Sequence, residues 1–523
     1  GLSRIEQILS TDPAGVYAKM DFATRDDYRH VVERFARKAA MPEEDVANAA
    51  LRLAQDAALA HGTQAAQAHV GYYLIDAGRG QLQRGCGLNA TRRHVPLTFY
   101  IVLMVTLTIA FAGVPAAVLW QSEMSAVLKT LAIVLLVIAS SQLAMVVLNW
   151  LAALFTSPQS LPKMDYSRGI PAEAKTLVVV PTLLANEQAA EDEVDDLEIR
   201  YLANRDSNLG FAILGDFVDA ASEHCSSDTA ILEAATRGIE RLNECYAGEH
   251  DTPKFFLLHR PRLWNASEGV WMGEERKRGK LADLNALLRG ADGAKFVRIV
   301  GDVSALRDVR YVITLDADTR LPRDTAHELV ATMQHPLNRA RYGAHGDCVV
   351  SGYGILQPRV GTTLLANGAS AYASLFGGDS GLDPYTRAVS DVYQDLFGEG
   401  SFTGKGIYDV DAFEHTIGGR MPDNRILSHD LLEGCHARAG LVSDLALFEH
   451  FPQRYSADMQ RRHRWIRGDW QIARWLLPFV PRADGSTGRN PLSALSRWKI
   501  FDNLRRSVVP PAMLVLFVLG WTV

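Results

Sequence analysis

Hydrophobic and polar positions fall into three regimes along the chain. Over residues 1–93, Ala, Leu and charged residues alternate at helical spacing, as in 42–61, with Pro13 and Pro42 as breaks. This predicts a small N-terminal helical region. Residues 95–120 and 130–155 are almost unbroken apolar runs. Each exceeds the ~20 residues a helix needs to cross a hydrocarbon core. The link 121–129 is short, which predicts a transmembrane hairpin within 94–156 that returns to its starting side. Arg79, Arg84, Arg92 and Arg93 precede it, Lys163 and Arg168 follow, and the tip carries only Glu123 and Lys129. By the positive-inside rule both flanks are cytoplasmic. A buried helical pair in a soluble core is the competing reading, disfavoured by length. A third run, 508–523, follows Arg505 and Arg506 and is still apolar where the sequence stops. It is expected to be the start of a third membrane helix in a fragment of a longer protein. The polar start of the chain gives no sign of a cleavable signal peptide.

Past the hairpin the period changes. Residues 176–180 (TLVVV) read as a buried strand ended by Pro181 and Thr182, and 211–214 as a second strand stopping at Asp216 and Asp219. A long, mostly polar helix over 221–245 leads to a third strand, 254–259. A fourth, 311–315, ends at Asp316-Ala317-Asp318. Strands linked by helices predict an α/β domain over about 160–500 with a mainly parallel sheet. Acidic residues then sit at C-terminal strand ends, where open α/β sheets bind ligands. Composition agrees: 48% apolar and 22% charged residues among 523 exclude a disordered or collagen-like chain. A net charge of -6 gives no argument for a nucleic-acid partner. Five scattered cysteines without a CxxC pair read as reduced thiols.

Asp316 and Asp318 are the sharpest chemical signal. Two carboxylates on alternate residues beyond a buried strand can share a hard divalent cation, whose remaining oxygens a diphosphate supplies. Most isolated Asp-x-Asp pairs are solvated turns, but the preceding strand YVITL favours the metal. Lys280 and Asn285, in GKLADLN after the basic run Arg276, Lys277 and Arg278, place a cation beside a glycine turn that opens a helix. That arrangement suits phosphate, or is an ordinary solvated helix start. Asp430, behind His429 and ahead of a helix, could take a proton from a sugar hydroxyl or serve only as an N-cap. Residues 461–471 mix guanidinium and indole groups, Arg464 and Trp465 among them. Such groups stack on sugars and stabilise a diphosphate, or form a basic helix at a membrane surface.

The order is a strand-end Asp, Gly-Lys-x4-Asn, Asp-x-Asp, a later Asp and Arg-Trp, with membrane helices before and after. In this the chain resembles the processive, membrane-embedded inverting glycosyltransferases of the cellulose-synthase type, which have a GT-A core. The longer strings VVVPTLLANEQAAEDEVDDLEIRYLANRD (178–206), ERKRGKLADLNALLRG (275–290), GSFTGKGIYDVDAFE (400–414) and RRHRWIRGDWQ (461–471) are similar to cyclic β-1,2-glucan synthases, glycosyltransferase family 84. The resemblance implies UDP-glucose as donor, Mg2+ or Mn2+ on Asp316 and Asp318, and uridine contact through Asp216 with Asp219. It further implies nucleotide binding by Lys280, Asn285 and Arg464, Asp430 as catalytic base, and acceptor contacts through Trp465, His429 and Tyr408. His429 stands where the wider family has a glutamate, and Arg461 where it has a glutamine.

In that family the glucan grows on a tyrosine of the enzyme, is released as a ring, and is exported by a separate transporter. Tyr246, closing the 221–245 helix, is the first candidate, with Tyr385, Tyr393 and Tyr408 as rivals. The plainer reading of Tyr246 is a ring packed at a helix end. The implied site is the cytoplasmic face of a multi-pass protein of a bacterial inner membrane, with the lipid bilayer, UDP-glucose and the growing glucan as partners. A synthase of another β-linked polysaccharide, cellulose-like or of aminosugars, would share this chemistry. A non-catalytic membrane scaffold would not need Asp216, Asp316, Asp318, Asp430 and Arg464 together.

Overall fold

A computed structural model describes residues 3–522, apart from 91–93, 157, 159, 249–252, 344–345, 364–369, 377–390 and 427–428. Arg92, Arg93 and the rival tyrosine Tyr385 lie outside the described residues. The N-terminal region folds into five helices, Arg4–Leu9, Phe22–Ala39, Glu43–His61, Val70–Ile75 and Arg79–Gly85. Pro13 falls between the first two, and Pro42 is the N-cap of the third. Their apolar faces meet around Tyr17, Tyr28, Val32, Phe35, Ala47 and Ala50. The unit is pinned from inside by Asp12, which accepts from His69 Nδ1 at 2.8 Å, Val70 N at 2.9 Å and Val16 N at 3.1 Å.

Among the described residues, three helices are long and apolar enough to cross a membrane: Leu97–Gln121, Ala126–Phe155 and Ala494–Trp521. The first two form the expected hairpin. The third differs from expectation, because its helix begins at Ala494 and not near 508. Its first turns carry charges that are paired inside the protein, so they do not read as apolar. Lys499 Nζ contacts Glu399 Oε1 at 2.7 Å, and Arg505 is paired with Asp502 at 2.8 Å. Arg505 also donates to Ser141 Oγ and Gln142 Oε1 at 3.1 Å, tying this helix to the hairpin's second arm.

The catalytic-domain candidate is built on an eight-stranded sheet, here β1 (Thr176–Leu184), β2 (Leu209–Phe217), β3 (Phe255–His259), β4 (Arg298–Val300), β5 (Tyr311–Thr314), β6 (Ile355–Thr362), β7 (Gly406–Asp409) and β8 (Ala439–Glu449). In space the order is β8-β6-β7-β5-β1-β2-β3-β4. β5, β1, β2 and β3 are parallel, and β6 is parallel to β8. β7 runs against both β5 and β6, and β4 against β3, so the expected parallel sheet is mixed toward its edges. β1 continues through Pro181 to Leu184, past the predicted stop. β5 pairs with it only as far as Val179, so the proline sits where the strand has one neighbour and its missing N–H is tolerated. The helix predicted over 221–245 begins later, at Asp228. Val178, Val180, Phe211, Ile213, Leu257 and Ile313 fill the core on one face. Leu177, Val179, Ala212 and Val312 fill it on the other.

One prediction concerns the N-terminal unit. Burial alone would push the Asp12 carboxyl up, but His69 and the amides of Val70 and Val16 outweigh it and hold the group below its ordinary value. A depressed acid stabilises the fold above its unfolded value, and that contribution is lost as pH falls through the folded one. Asp12→Asn should speed amide exchange across residues 4–85 by ~30-fold or more at neutral pH, leaving β1, β2 and β5 unchanged. The gap between variant and wild type should close in acid. Equal exchange at neutral pH would refute the role.

Candidate active site

The sheet topology gathers one edge. The C-terminal ends of β2, β3, β5 and β8 and the start of antiparallel β7 all lie there, which brings residues 216, 260, 316, 405 and 449 to the same side. Asp316 and Asp318 follow β5 on a loop shaped from beneath. Buried Arg200, on the helix Glu187–Ala203, donates to the carbonyl of Ala317 at 2.7 Å and to that of Thr319 at 3.3 Å. A backbone bridge between Arg320 and Phe448 then sets Glu449 beside this loop. Carboxylate oxygens of Asp316, Asp318 and Glu449 lie within 4.8 Å of one another.

Three acids this close repel. Desolvation and the neighbouring Glu449 and Asp316 push the Asp318 carboxyl up. Two ammonium groups stabilise the cluster: Lys277 Nζ is 2.6 Å from Asp316 Oδ1, and Lys405 Nζ is 2.9 Å from Asp316 Oδ2 and 2.6 Å from Glu449 Oε1. Thr319 Oγ1 donates to Glu449 at 3.2 Å. An all-oxygen, three-carboxylate donor set of this spacing fits a hard divalent cation such as Mg2+ or Mn2+.

Asp430 reaches the same place. It is the first residue of the helix Asp430–Ala437, with His429 as N-cap, so it lies one step inside the predicted helix start. A Cβ on Gly404 (φ +90°) would stand 2.8 Å from Asp430 Oδ1. The carbonyl of that glycine accepts from Lys277 Nζ at 2.7 Å, the ammonium that also holds Asp316. Asp430 and the paired acids are therefore linked through a single residue and a single side chain. His429 Nδ1 lies 2.8 Å from Glu433 Oε1 and 3.6 Å from Asp430 Oδ1. Burial alone would push this imidazole down, but Glu433 and Asp430 prevail and hold it above its ordinary value.

Other predicted residues sit differently. Asp216 is the penultimate residue of β2, not beyond it, and is buried under a bidentate Arg260, with both bonds at 3.0 Å. Lys280 Nζ lies 3.4 Å from it and donates to Thr182 O at 2.6 Å. Burial pushes the Lys280 ammonium down to about 8. Gly273 allows this packing, since a Cβ there would fall 2.0 Å from Asp216 Oδ2. Asp219, partly exposed, pairs with Arg276 at 2.9 Å. Gly279 does not form a turn before a helix; it lies inside one, Arg276–Leu288. Asn285 and Tyr408 are buried and bonded to each other at 2.9 Å, and Asn285 also to Glu414 at 2.8 Å. The structure places this pair in the core, not on an open surface.

Arg464 and Trp465 are exposed on the helix Tyr455–Gln471, with Arg461 over the Trp465 ring at 4.9 Å. Buried Asp458 pairs with Arg461 and Arg462 one turn along that helix and accepts from the Tyr372 hydroxyl at 2.7 Å, and Trp470 Nε1 donates to Ser507 Oγ of the third membrane helix at 3.0 Å. Tyr246 ends a helix that runs back from β2 to the start of β3, so it lies at the opposite edge of the sheet from Asp316. Its hydroxyl donates to Glu198 Oε1 at 2.7 Å and its ring packs on Tyr201, centroids 4.8 Å apart. This is the packed helix-end tyrosine. Tyr393 is buried against Tyr100 and Phe397.

Sequence reasoning missed Glu449, Lys405, Arg260 and Arg200. The rule that found Asp316, an acid ending a buried strand, also finds Glu449. A cation beside a glycine, the rule applied to Lys280, also finds Lys405. Arg260 and Arg200 carry no local signal, because each acts on a segment distant in sequence.

No family model matches the chain. It is 42% identical over 516 residues, 97% of its length, to cyclic beta-(1,2)-glucan synthase NdvB of Rhizobium meliloti (strain 1021). The resemblance read from the sequence thus extends over nearly the whole chain, which spans 18% of that relative's length.

Two substitutions test the geometry. Gly404→Ala forces Asp430 aside and strains a left-handed backbone, and should lower any turnover at this site by ~10-fold or more with little loss of fold. Arg260→Met removes the bidentate partner of buried Asp216 and leaves it only Lys280, 3.4 Å away, and should cost about 3 kcal/mol, read as a fall in thermal midpoint. A Gly404→Ala protein with wild-type turnover would remove Asp430 from the chemistry.

Proposed function

We propose that this chain is the glucosyltransferase part of a cyclic β-1,2-glucan synthase: an inverting enzyme that takes glucose from UDP-glucose and extends a β-1,2-linked glucan. The observation that carries the reading is the link from Asp430 through Gly404 and Lys277 to Asp316, in a chain similar to a glucan synthase along 97% of its length.

Asp430 is the general base. Its carboxylate takes the proton of the acceptor's glucose 2-hydroxyl as that oxygen attacks the anomeric carbon of the donor. The new C–O bond forms while the bond to the diphosphate breaks and UDP leaves with the electron pair. One displacement on an α-linked donor yields a β product, so no glucosyl-carboxylate intermediate is required. Mg2+ or Mn2+ held by Asp316, Asp318 and Glu449 would supply charge neutralisation for the diphosphate. His429 Nδ1 packs beside the base, 3.6 Å from Asp430 Oδ1 and 2.8 Å from Glu433 Oε1. Asp216 and Asp219 belong to the uridine side of the cleft, and Arg464 with Trp465 to its membrane side, where the indole stacks on the glucan.

In this reading the glucan starts on a protein tyrosine other than Tyr246 and is closed into a ring. It leaves through a separate exporter. The three apolar helices fix the transferase to a bacterial inner membrane, with its sheet in the cytoplasm.

Incubating the full chain with UDP-glucose and Mg2+ or Mn2+ should release UDP and give 2-linked glucose in free and protein-bound glycan. Asp430→Asn should lower transfer by ~10²-fold or more with UDP affinity retained. A differently linked product would replace the β-1,2 assignment, and wild-type transfer by Asp430→Asn would overturn the base. Removing the divalent cation with EDTA should abolish UDP release, and its addition should restore it. Undiminished release in EDTA would remove the metal.

A further inference from the structure

We infer that Lys277 and Lys405 are the side chains that grip the nucleotide-sugar diphosphate. This deepens the nucleotide-sugar reading above and rests on it. Of the two cations expected to do this from sequence, one is engaged elsewhere and the other makes no ion pair with the acidic cluster. Lys280 is buried and spends its ammonium on Thr182 O and Asp216. Arg464 lies exposed on the helix that leans on the membrane segment. Lys277 and Lys405, by contrast, converge from different elements on one carboxylate, Asp316. Lys277 comes from the helix Arg276–Leu288, and Lys405 from the residue before β7. Lys277 is also bonded to the carbonyl of Gly404, beside Asp430, so it lies between the base and the paired acids.

Charge balance gives the reason. Asp316, Asp318 and Glu449 against Lys277 and Lys405 leave one net negative charge on the cluster. A divalent cation alone reverses that sign, and a diphosphate alone makes the cluster strongly negative. Together they return it to one net negative charge. A divalent cation held by Asp316, Asp318 and Glu449 would compete with the ammonium groups for these carboxylates. Each lysine, a flexible point charge with three donors, is then free to turn to the phosphate oxygens. The Lys277 and Lys405 side chains are 23% and 11% exposed.

The test is binding to the full chain in detergent micelles, by titration calorimetry with Mn2+ present, of UDP and of uridine separately. Lys277→Gln and Lys405→Gln should each weaken UDP by ~10-fold or more and leave uridine within about twofold, because only UDP carries the diphosphate. UDP affinity equal to wild type in both variants would overturn the assignment while leaving the nucleotide-sugar reading intact. Parallel loss of UDP and uridine would make the lysines structural and also overturn it. A wild-type chain that binds neither UDP nor uridine would instead defeat the nucleotide-sugar reading itself.

Discussion

Crowded negative charge is the constraint on which the site depends. Asp316, Asp318 and Glu449 bring three carboxylates within 4.8 Å, an arrangement that holds only with cations supplied to it. The chain supplies two of its own, Lys277 and Lys405, from segments 128 residues apart in sequence. Nearby, Asp216 repeats the logic, buried under Arg260 and Lys280. At the cleft edge Asp316, Glu449 and Asp216 are thus each paired with a base from a different element, and Asp318 stands beside them. In the proposed function this surface would meet a divalent cation and a diphosphate together.

The mixed sheet makes this convergence possible. Parallel strands β1, β2, β3 and β5 deliver their C-terminal ends to one edge, and β8 adds Glu449 from the far side. Antiparallel β7 delivers its beginning there, and with it Gly404 and Lys405. The same edge connects to the membrane region. The helix Tyr455–Gln471 bonds to Ser507, and Arg505 binds the second arm of the hairpin. Through those contacts the mixed sheet and the three apolar helices become one structure.

Much of this was legible in the sequence, and the limits have physical causes. The apolar hairpin, the helical N-terminal region, four strands and the Asp316–Asp318 pair follow from periodicity and local composition. Asp430 was found as a lone acid before a helix. The third membrane helix was placed too late because Lys499, Asp502 and Arg505 look solvated in sequence but are paired in the fold. Asn285 and Tyr408 are ligand contacts only by the family resemblance. Their hydroxyl and amide instead satisfy each other in the core. Tyr246 looked reachable by composition, yet strand direction carries it to the opposite edge. Glu449 ends β8 as Asp316 follows β5, and the parallel pairing of β8 with β6 is what sets it on the same side of the sheet.

The most direct measurement is the structure of the full chain bound to UDP and Mn2+, with the metal located by its anomalous scattering. The account predicts the ion among Asp316, Asp318 and Glu449, the diphosphate against it, and the Asp430 carboxylate facing the donor's sugar position. Nucleotide density at another edge of the sheet, or an ion bound away from these three carboxylates, would contradict it.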